Sequence, residues 1–145
     1  MTTSTSVFVK TNRGVKNLAL AKSVIGSDER VVVLDSNCNV MHYQKGAAAE
    51  TLFEQIKKSI KPCEGATLIL ENGSWIHVDS ISNVFISEKS GSLLITANKD
   101  DNLLTMFAAD EFSDLEGLCD VLCDALCDYN DGKAMPEISW SEYKA

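Results

Sequence analysis

The sequence predicts an α+β fold in which an antiparallel β-meander sheet is packed by two amphipathic helices. Short runs rich in Val, Ile, Leu and aromatic residues alternate with turns that contain Gly, Asn and Ser, which is typical of strands. Two longer segments instead carry apolar residues at helical spacing. The 145 residues fit one domain, in which residues 1–6 form a polar lead that we expect to be flexible.

Strand-like segments occupy the first third of the chain. Residues 6–10 have strand composition, and residues 11–14 follow as a turn. Residues 18–25 are compatible with a strand or a short helix, and we favour the strand. Residues 31–34 are apolar without alternation, which indicates a buried central strand, and residues 39–43 return from it.

The first helix is predicted over residues 47–60. The residue before a proline avoids the α region, so Pro62 ends the helix. One face of this helix is apolar and is expected to cover the sheet. That face consists of Ala49, Leu52, Phe53, Ile56 and Ile60.

A meander of about five strands is predicted between residues 67 and 107. Asn72-Gly73 lies between two of these strands and indicates a hairpin with a type I′ turn. The second helix follows, and Ser113 with Glu116 matches a capping box at its start. Asn130-Asp131-Gly132 ends the helix. Both helices are expected on the same face of the sheet.

The hairpin–helix pattern occurs twice at a nearly constant offset. Residues 31–43 with the first helix form one copy, and residues 93–106 with the second helix form the other. Residue identity between the copies is poor. The pattern raises the hypothesis of a duplicated hairpin–helix unit.

The charge and composition of the chain argue against several classes of function. The net charge of −8 argues against direct binding of nucleic acid or of an anionic membrane surface. The apolar runs are far shorter than the ~20 residues of a membrane span. Residues 1–6 lack the features of a secretory signal, and five cysteines do not suggest a disulfide framework. A cytoplasmic protein is therefore expected.

The residue types that often carry catalysis are present without a catalytic context. His42 and His77 lie in predicted strands, and neither belongs to a known acid–base or nucleophile motif. Cys119, Cys123 and Cys127 lie along one side of the second helix, but their spacing is not that of the usual zinc sites. We expect no enzyme activity, no catalytic residue, no metal and no cofactor.

Three groups of residues are candidates for binding a partner. Alternation places Trp75, His77 and Asp79 together on one face of a strand, opposite Ile76 and Val78, and an exposed tryptophan is typical of interaction sites. An acidic face of the second helix would suit a basic partner, and a tail at residues 133–145 could add as an edge strand or dock. The candidates on the helix and in the tail are Asp120, Asp124, Asp128, Trp140 and Tyr143.

These features favour a non-enzymatic intracellular protein-interaction module that acts by binding another protein, and self-association is one form of this. The first alternative is a small acidic inhibitor, of antidefence or immunity type, that blocks a basic or nucleic-acid-binding surface of its target. The second alternative is a domain that binds a small ligand, or a metal through its thiols.

Overall fold

The computed structural model describes residues 6–11, 13–27 and 29–145. Apart from Ser6, the lead expected at residues 1–6 lies outside the described residues. The two α-helices are α1 (Ala48–Ser59) and α2 (Leu115–Asn130), and short 3-10 helices lie at Val78–Ser80 and Trp140–Tyr143. The strands are β1 (Phe8–Thr11), β2 (Gly14–Asn17), β3 (Ser23–Gly26), β4 (Arg30–Leu34), β5 (Val40–Lys45), β6 (Thr67–Ile69), β7 (Trp75–His77), β8 (Ile81–Ile86), β9 (Leu93–Ala97) and β10 (Leu103–Phe107).

These strands form three antiparallel sheets, which together with the helices confirm the α+β class. A five-stranded sheet has the order β5-β4-β3-β7-β6, a three-stranded sheet has the order β10-β9-β8, and β1 pairs with β2 alone. The meander expected over residues 67–107 is therefore divided. The 3-10 helix at Val78–Ser80 interrupts the chain between β7 and β8, so that the strands before and after it belong to different sheets.

The five-stranded sheet is covered on both faces by apolar residues. Val24 and Trp75, from β3 and β7, pack with the buried face of α1, whereas Ile76 packs with residues of α2 and the three-stranded sheet. Neighbouring residues of a strand point to opposite faces. The expectation that both helices lie on one face is therefore wrong, because each helix closes a different core.

Side-chain hydroxyls help to join β3 to β7 at the centre of the large sheet. The buried Ser74 hydroxyl donates to the Gly26 carbonyl at 3.1 Å and accepts from the Gly26 N–H at 2.9 Å. The Ser23 hydroxyl accepts from the His77 N–H at 2.9 Å. Asn72, in the β6–β7 hairpin, also donates to the Gly26 carbonyl at 2.5 Å. The predicted hairpin is confirmed, but its turn is not type I′, because Gly73 has positive φ and Asn72 does not.

The start of α2 differs from the predicted capping box. Asp114 is the N-cap, and its carboxylate accepts the Gly117 N–H at 3.0 Å. Ser113 instead donates its hydroxyl to the carbonyl of Lys144 at 3.0 Å, so it ties the end of the chain to the helix. A Cβ at position 117 would lie 2.3 Å from Oδ2 of Asp114, so a larger residue there would require the capping carboxylate to shift.

The order of elements repeats along the chain. A hairpin, a three-stranded meander and a helix occur as β1–β5 with α1 and again as β6–β10 with α2. The turn of the β4–β5 hairpin lies against that of β9–β10, where Cys38 Sγ is 3.5 Å from Oδ1 of Asn98. The two copies assemble differently, since β7 joins β3 whereas the β1–β2 hairpin joins neither larger sheet. Duplication stays a prediction.

Candidate functional site

The aromatic strand face predicted around Trp75 is not exposed. The Trp75 side chain is only 3% exposed, because β7 lies inside a sheet that is covered on both faces. His77 is half-buried, and its Nδ1 accepts the backbone N–H of Asp79 at 3.3 Å at the start of the 3-10 helix. Of these three residues, only Asp79 is exposed. The expected separation into a buried and an exposed face is wrong for this strand.

The tail packs on its own domain and does not form an edge strand. Trp140 is 7% exposed, and its ring stacks on that of Phe107 with centroids 5.3 Å apart. Its indole N–H donates to the Ile69 carbonyl at 3.1 Å, and half-buried Tyr143 packs against the same core. Within the described residues, the only strand-like pairing of the tail is one isolated β-bridge between Phe112 and Lys144. Trp140 is thus an anchor for the tail.

The acidic side of α2 is exposed as the sequence indicates. Asp120, Asp124 and Asp128 recur every four residues and point to solvent. In the part of the chain that the structure describes, none of them has a lysine, arginine or histidine as an ion-pair partner. Like charges at this spacing repel, and the last two also oppose the negative end of the helix dipole. The row is therefore an uncompensated negative surface.

The three thiols of α2 lie between its buried face and this acidic row. Cys119 Sγ is 4.0 Å from Cys123 Sγ. Burial, together with the neighbouring Cys123, raises the pKa of Cys119 to about 11, so this group stays a thiol at neutral pH. Across residues 6–11, 13–27 and 29–145, no cluster of three or more His, Cys, Asp or Glu side chains is arranged to hold a metal ion.

The free edge of β8 is a feature that the sequence reasoning missed. The order β10-β9-β8 leaves one side of β8 without a neighbouring strand. Ser87 N–H donates to the Ser92 carbonyl at 2.8 Å, so the backbone of Ser87 points towards β9. Along an antiparallel strand, successive residues point their backbone groups alternately towards the partner strand and away from it. Phe85 and Leu94 are then a hydrogen-bonded pair, whereas the backbone groups of Val84 and Ile86 point to the free edge. Within the described residues, these groups have no hydrogen-bond partner.

A cleft of about 600 Å³ lies beside this edge, between β8 and the last turns of α2. Its surface combines apolar side chains with two carboxylates, Asp79 and Asp131, and it includes no lysine, arginine or histidine. The residues that line it are Val78, Asp79, Ile81, Ser82, Asn83, Val84, Cys123, Leu126, Cys127, Tyr129, Asn130 and Asp131. An unpaired strand edge, an apolar groove and an acidic rim thus meet at one place.

A larger cleft, of about 1200 Å³, lies between β6 and the tail. It offers less strand edge, because β6 has only three residues and its Ile69 carbonyl already accepts the indole N–H of Trp140. Its lining also mixes charges, since it includes Lys61 together with Glu64, Glu71 and Glu137. The smaller cleft is therefore the better candidate site.

His42 is the one buried histidine in the part of the chain that the structure describes, and it lies away from both clefts. It is 8% exposed on β5, opposite Val33, and its Nε2 has no partner there. Burial, reinforced by the positive charge of Lys16, lowers the pKa of His42 below its ordinary value of 6.5. This environment favours a neutral structural side chain, and the described neighbours do not form a general-base arrangement.

The free energy of unfolding is expected to fall as the pH decreases from about 6.5 towards the lowered pKa of folded His42. Over this range the unfolded chain takes up a proton that the folded protein does not yet bind, so acid favours unfolding. His42→Leu should flatten this part of the pH profile, and urea unfolding at a series of pH values measures it. An identical profile in wild type and variant would contradict the assignment.

Comparison with known protein families, with curated proteins and with solved structures found no match to this chain. In the described residues, no helix combines the length and apolar character needed to cross a bilayer.

Proposed function

We propose that this chain is a non-enzymatic protein-interaction module that binds an extended segment of another protein along the free edge of β8. The observation that carries the proposal is the set of unpaired N–H and C=O groups of Val84, which lines the cleft, and of Ile86, which lies further along the same edge. A segment that adds as a further strand pairs its backbone with these groups, and its side chains reach the cleft between β8 and α2.

Edge strands are usually protected from such pairing by charges, prolines or a covering segment. β8 has the sequence Ile-Ser-Asn-Val-Phe-Ile and carries neither a charge nor a proline. The edge strand β5 does have such protection. It contains Lys45, and its Met41 carbonyl accepts a hydrogen bond from the Lys16 ammonium group at 2.8 Å. β8 does have a register shift, between Ile81 and Asn83, and it is the regular stretch from Asn83 to Ile86 that supports a role in recognition.

The opposite edge of the same sheet provides a matched control. The backbone of Met106 on β10 points outwards by the same alternation, since Leu94 pairs with both Phe85 and Met106. Both edge strands carry a register shift near their start, β10 between Leu103 and Thr105 and β8 between Ile81 and Asn83, so the two edges are alike in this respect. Neither described cleft includes Met106.

Val84→Pro is expected to weaken partner binding at least about tenfold, because the variant loses an outward N–H while the ladder bonds to β9 are retained. Met106→Pro removes the corresponding group at the other edge and should bind like the wild type. The measurement is affinity capture from lysate of the native host, with identification of the bound protein and titration of its affinity. Circular dichroism is the control that tests whether both variants are folded.

Equal binding by Val84→Pro and wild type would contradict the use of β8. Capture of a second copy of the chain, with a dimer that Val84→Pro dissociates, would identify the partner as the protein itself. A cytoplasmic location is part of the proposal, since the thiols are expected to remain reduced there.

A small acidic inhibitor of a basic surface is the second candidate function. Asp120, Asp124 and Asp128 favour it, because they form an exposed negative row without cationic partners in the described residues. Such binding is dominated by charge and would weaken strongly between low and high salt, whereas strand addition depends less on ionic strength. A partner that is lost at high salt and insensitive to Val84→Pro would favour this alternative.

A further inference from the structure

We infer that the segment bound at β8 is basic, with Lys or Arg side chains where it passes the start of the strand and apolar side chains where it passes Val84 and Ile86. This inference rests on the proposed function and specifies the chemistry of the partner.

The start of β8 is acidic on several sides. Asp79 precedes the strand, and Asp131, at the end of α2, lines the same cleft. Asp101 reaches the strand from the β9–β10 turn, where its carboxylate accepts the Ser82 hydroxyl at 2.7 Å and lies 3.3 Å from Nδ2 of Asn83. These contacts place carboxylates around residues 79–83.

Cations that could neutralise these carboxylates are scarce among the described neighbours. The nearest such group is His77, whose Nδ1 is 3.9 Å from Oδ2 of Asp79 and accepts the Asp79 N–H. Asp101 and Asp131 have no ion-pair partner in the part of the chain that is described. Asp124 and Asp128, which do not line the cleft, are exposed on α2 within two turns of Asp131.

The other end of the site has a different character. Val84 and Ile86 are half-buried and pack against the core that α2 closes, so their side chains face the helix. A bound strand opposite them presents every second side chain to the same side. Apolar side chains suit those positions, and basic side chains suit the acidic start. Charge complementarity of this kind selects among partners and speeds association.

The test uses the full chain and three labelled peptides that differ only in the residues at their two ends. The basic probe is Lys-Lys-Val-Thr-Val-Thr-Val-Lys-Lys, with lysines at both ends because either strand direction is allowed. The acidic and neutral probes replace every lysine by glutamate or by serine. Binding is measured by fluorescence anisotropy at low and at physiological salt.

We expect the basic peptide to bind at least about tenfold more tightly than the acidic one, with the neutral peptide between them. The double variant Asp79→Asn/Asp131→Asn should lose about tenfold in affinity for the basic peptide. Glu50→Gln/Glu64→Gln, which removes the same charge from residues outside this cleft, should change the affinity little. Val84→Pro should weaken all three peptides.

The outcomes separate this inference from the proposed function. Equal binding of the three peptides, still weakened by Val84→Pro, would overturn the basic character while strand addition stands. Preference for the basic peptide that is insensitive to Val84→Pro would mean surface charge alone, which overturns both. Failure of the basic peptide to bind also overturns the inference, and lysate capture then tests the module independently.

Discussion

Replacing Trp75 by alanine is expected to lower the free energy of unfolding by about 3–5 kcal/mol. The side chain is 3% exposed and packs with Val24, Val33 and Phe53 in the core between α1 and the five-stranded sheet. Its removal leaves a cavity that close-packed neighbours fill only in part. Urea unfolding followed by circular dichroism measures the change as a shift of the midpoint.

Tyr43→Ala is the control for this experiment. Tyr43 is an aromatic residue on edge strand β5 of the same sheet, and it is 49% exposed. Its truncation should cost much less than that of Trp75. A Trp75→Ala protein that unfolds at the wild-type midpoint would show that the ring is not part of the core. Any loss of partner binding by Trp75→Ala must be corrected for the unfolded fraction.

Gly26→Ala is expected to destabilise the protein by about 1–3 kcal/mol, although it adds only one methyl group. A Cβ at this position would lie 2.7 Å from Cγ of Phe53, because the aromatic ring sits directly on the backbone of β3. The Lys57 ammonium lies 4.4 Å from the centroid of the same ring. Movement of the ring would therefore disturb its contacts with both the sheet and Lys57.

A double-mutant cycle with Phe53→Leu isolates this contact. The smaller side chain leaves room for the new methyl group, so Gly26→Ala should cost much less in the Phe53→Leu background than alone. We expect a coupling free energy of about 1–2 kcal/mol, measured from urea unfolding of the four proteins. Additive effects would show that the cost of Gly26→Ala arises from the β3 backbone and not from the ring.

Local patterns predicted the regular elements well. The apolar spacing of Ala49, Leu52, Phe53 and Ile56 predicted α1 to within one residue at each end, because a helix repeats its faces over a few residues. Residues 18–25 were favoured as a strand, but the structure has a strand only from Ser23 to Gly26, and residues 18–22 are not part of it. β2 was missed because its residues are all exposed, so no burial pattern marks it.

The prediction of which side chains are exposed was right for the acidic side of α2 and wrong for β7. The acidic row of α2 lies in solvent as predicted, since one helix carries both a buried and an exposed side. Trp75 and Ile76 are buried on opposite faces of β7, so alternation could not indicate which residue meets water. Whether a second layer covers the other face depends on segments far away in sequence.

The sequence by itself determined the α+β class, the positions of both helices, the β6–β7 hairpin and the negative surface of α2. These follow from interactions between residues a few positions apart, namely periodic burial, turn chemistry and charge spacing. Only the tertiary structure decided that the strands form three sheets, that Trp75 and Trp140 are buried, and that β8 has a free edge beside an acidic cleft. The edge of a strand is defined by the absence of a neighbour, and neighbours in a sheet are set by long-range packing and hydrogen bonding.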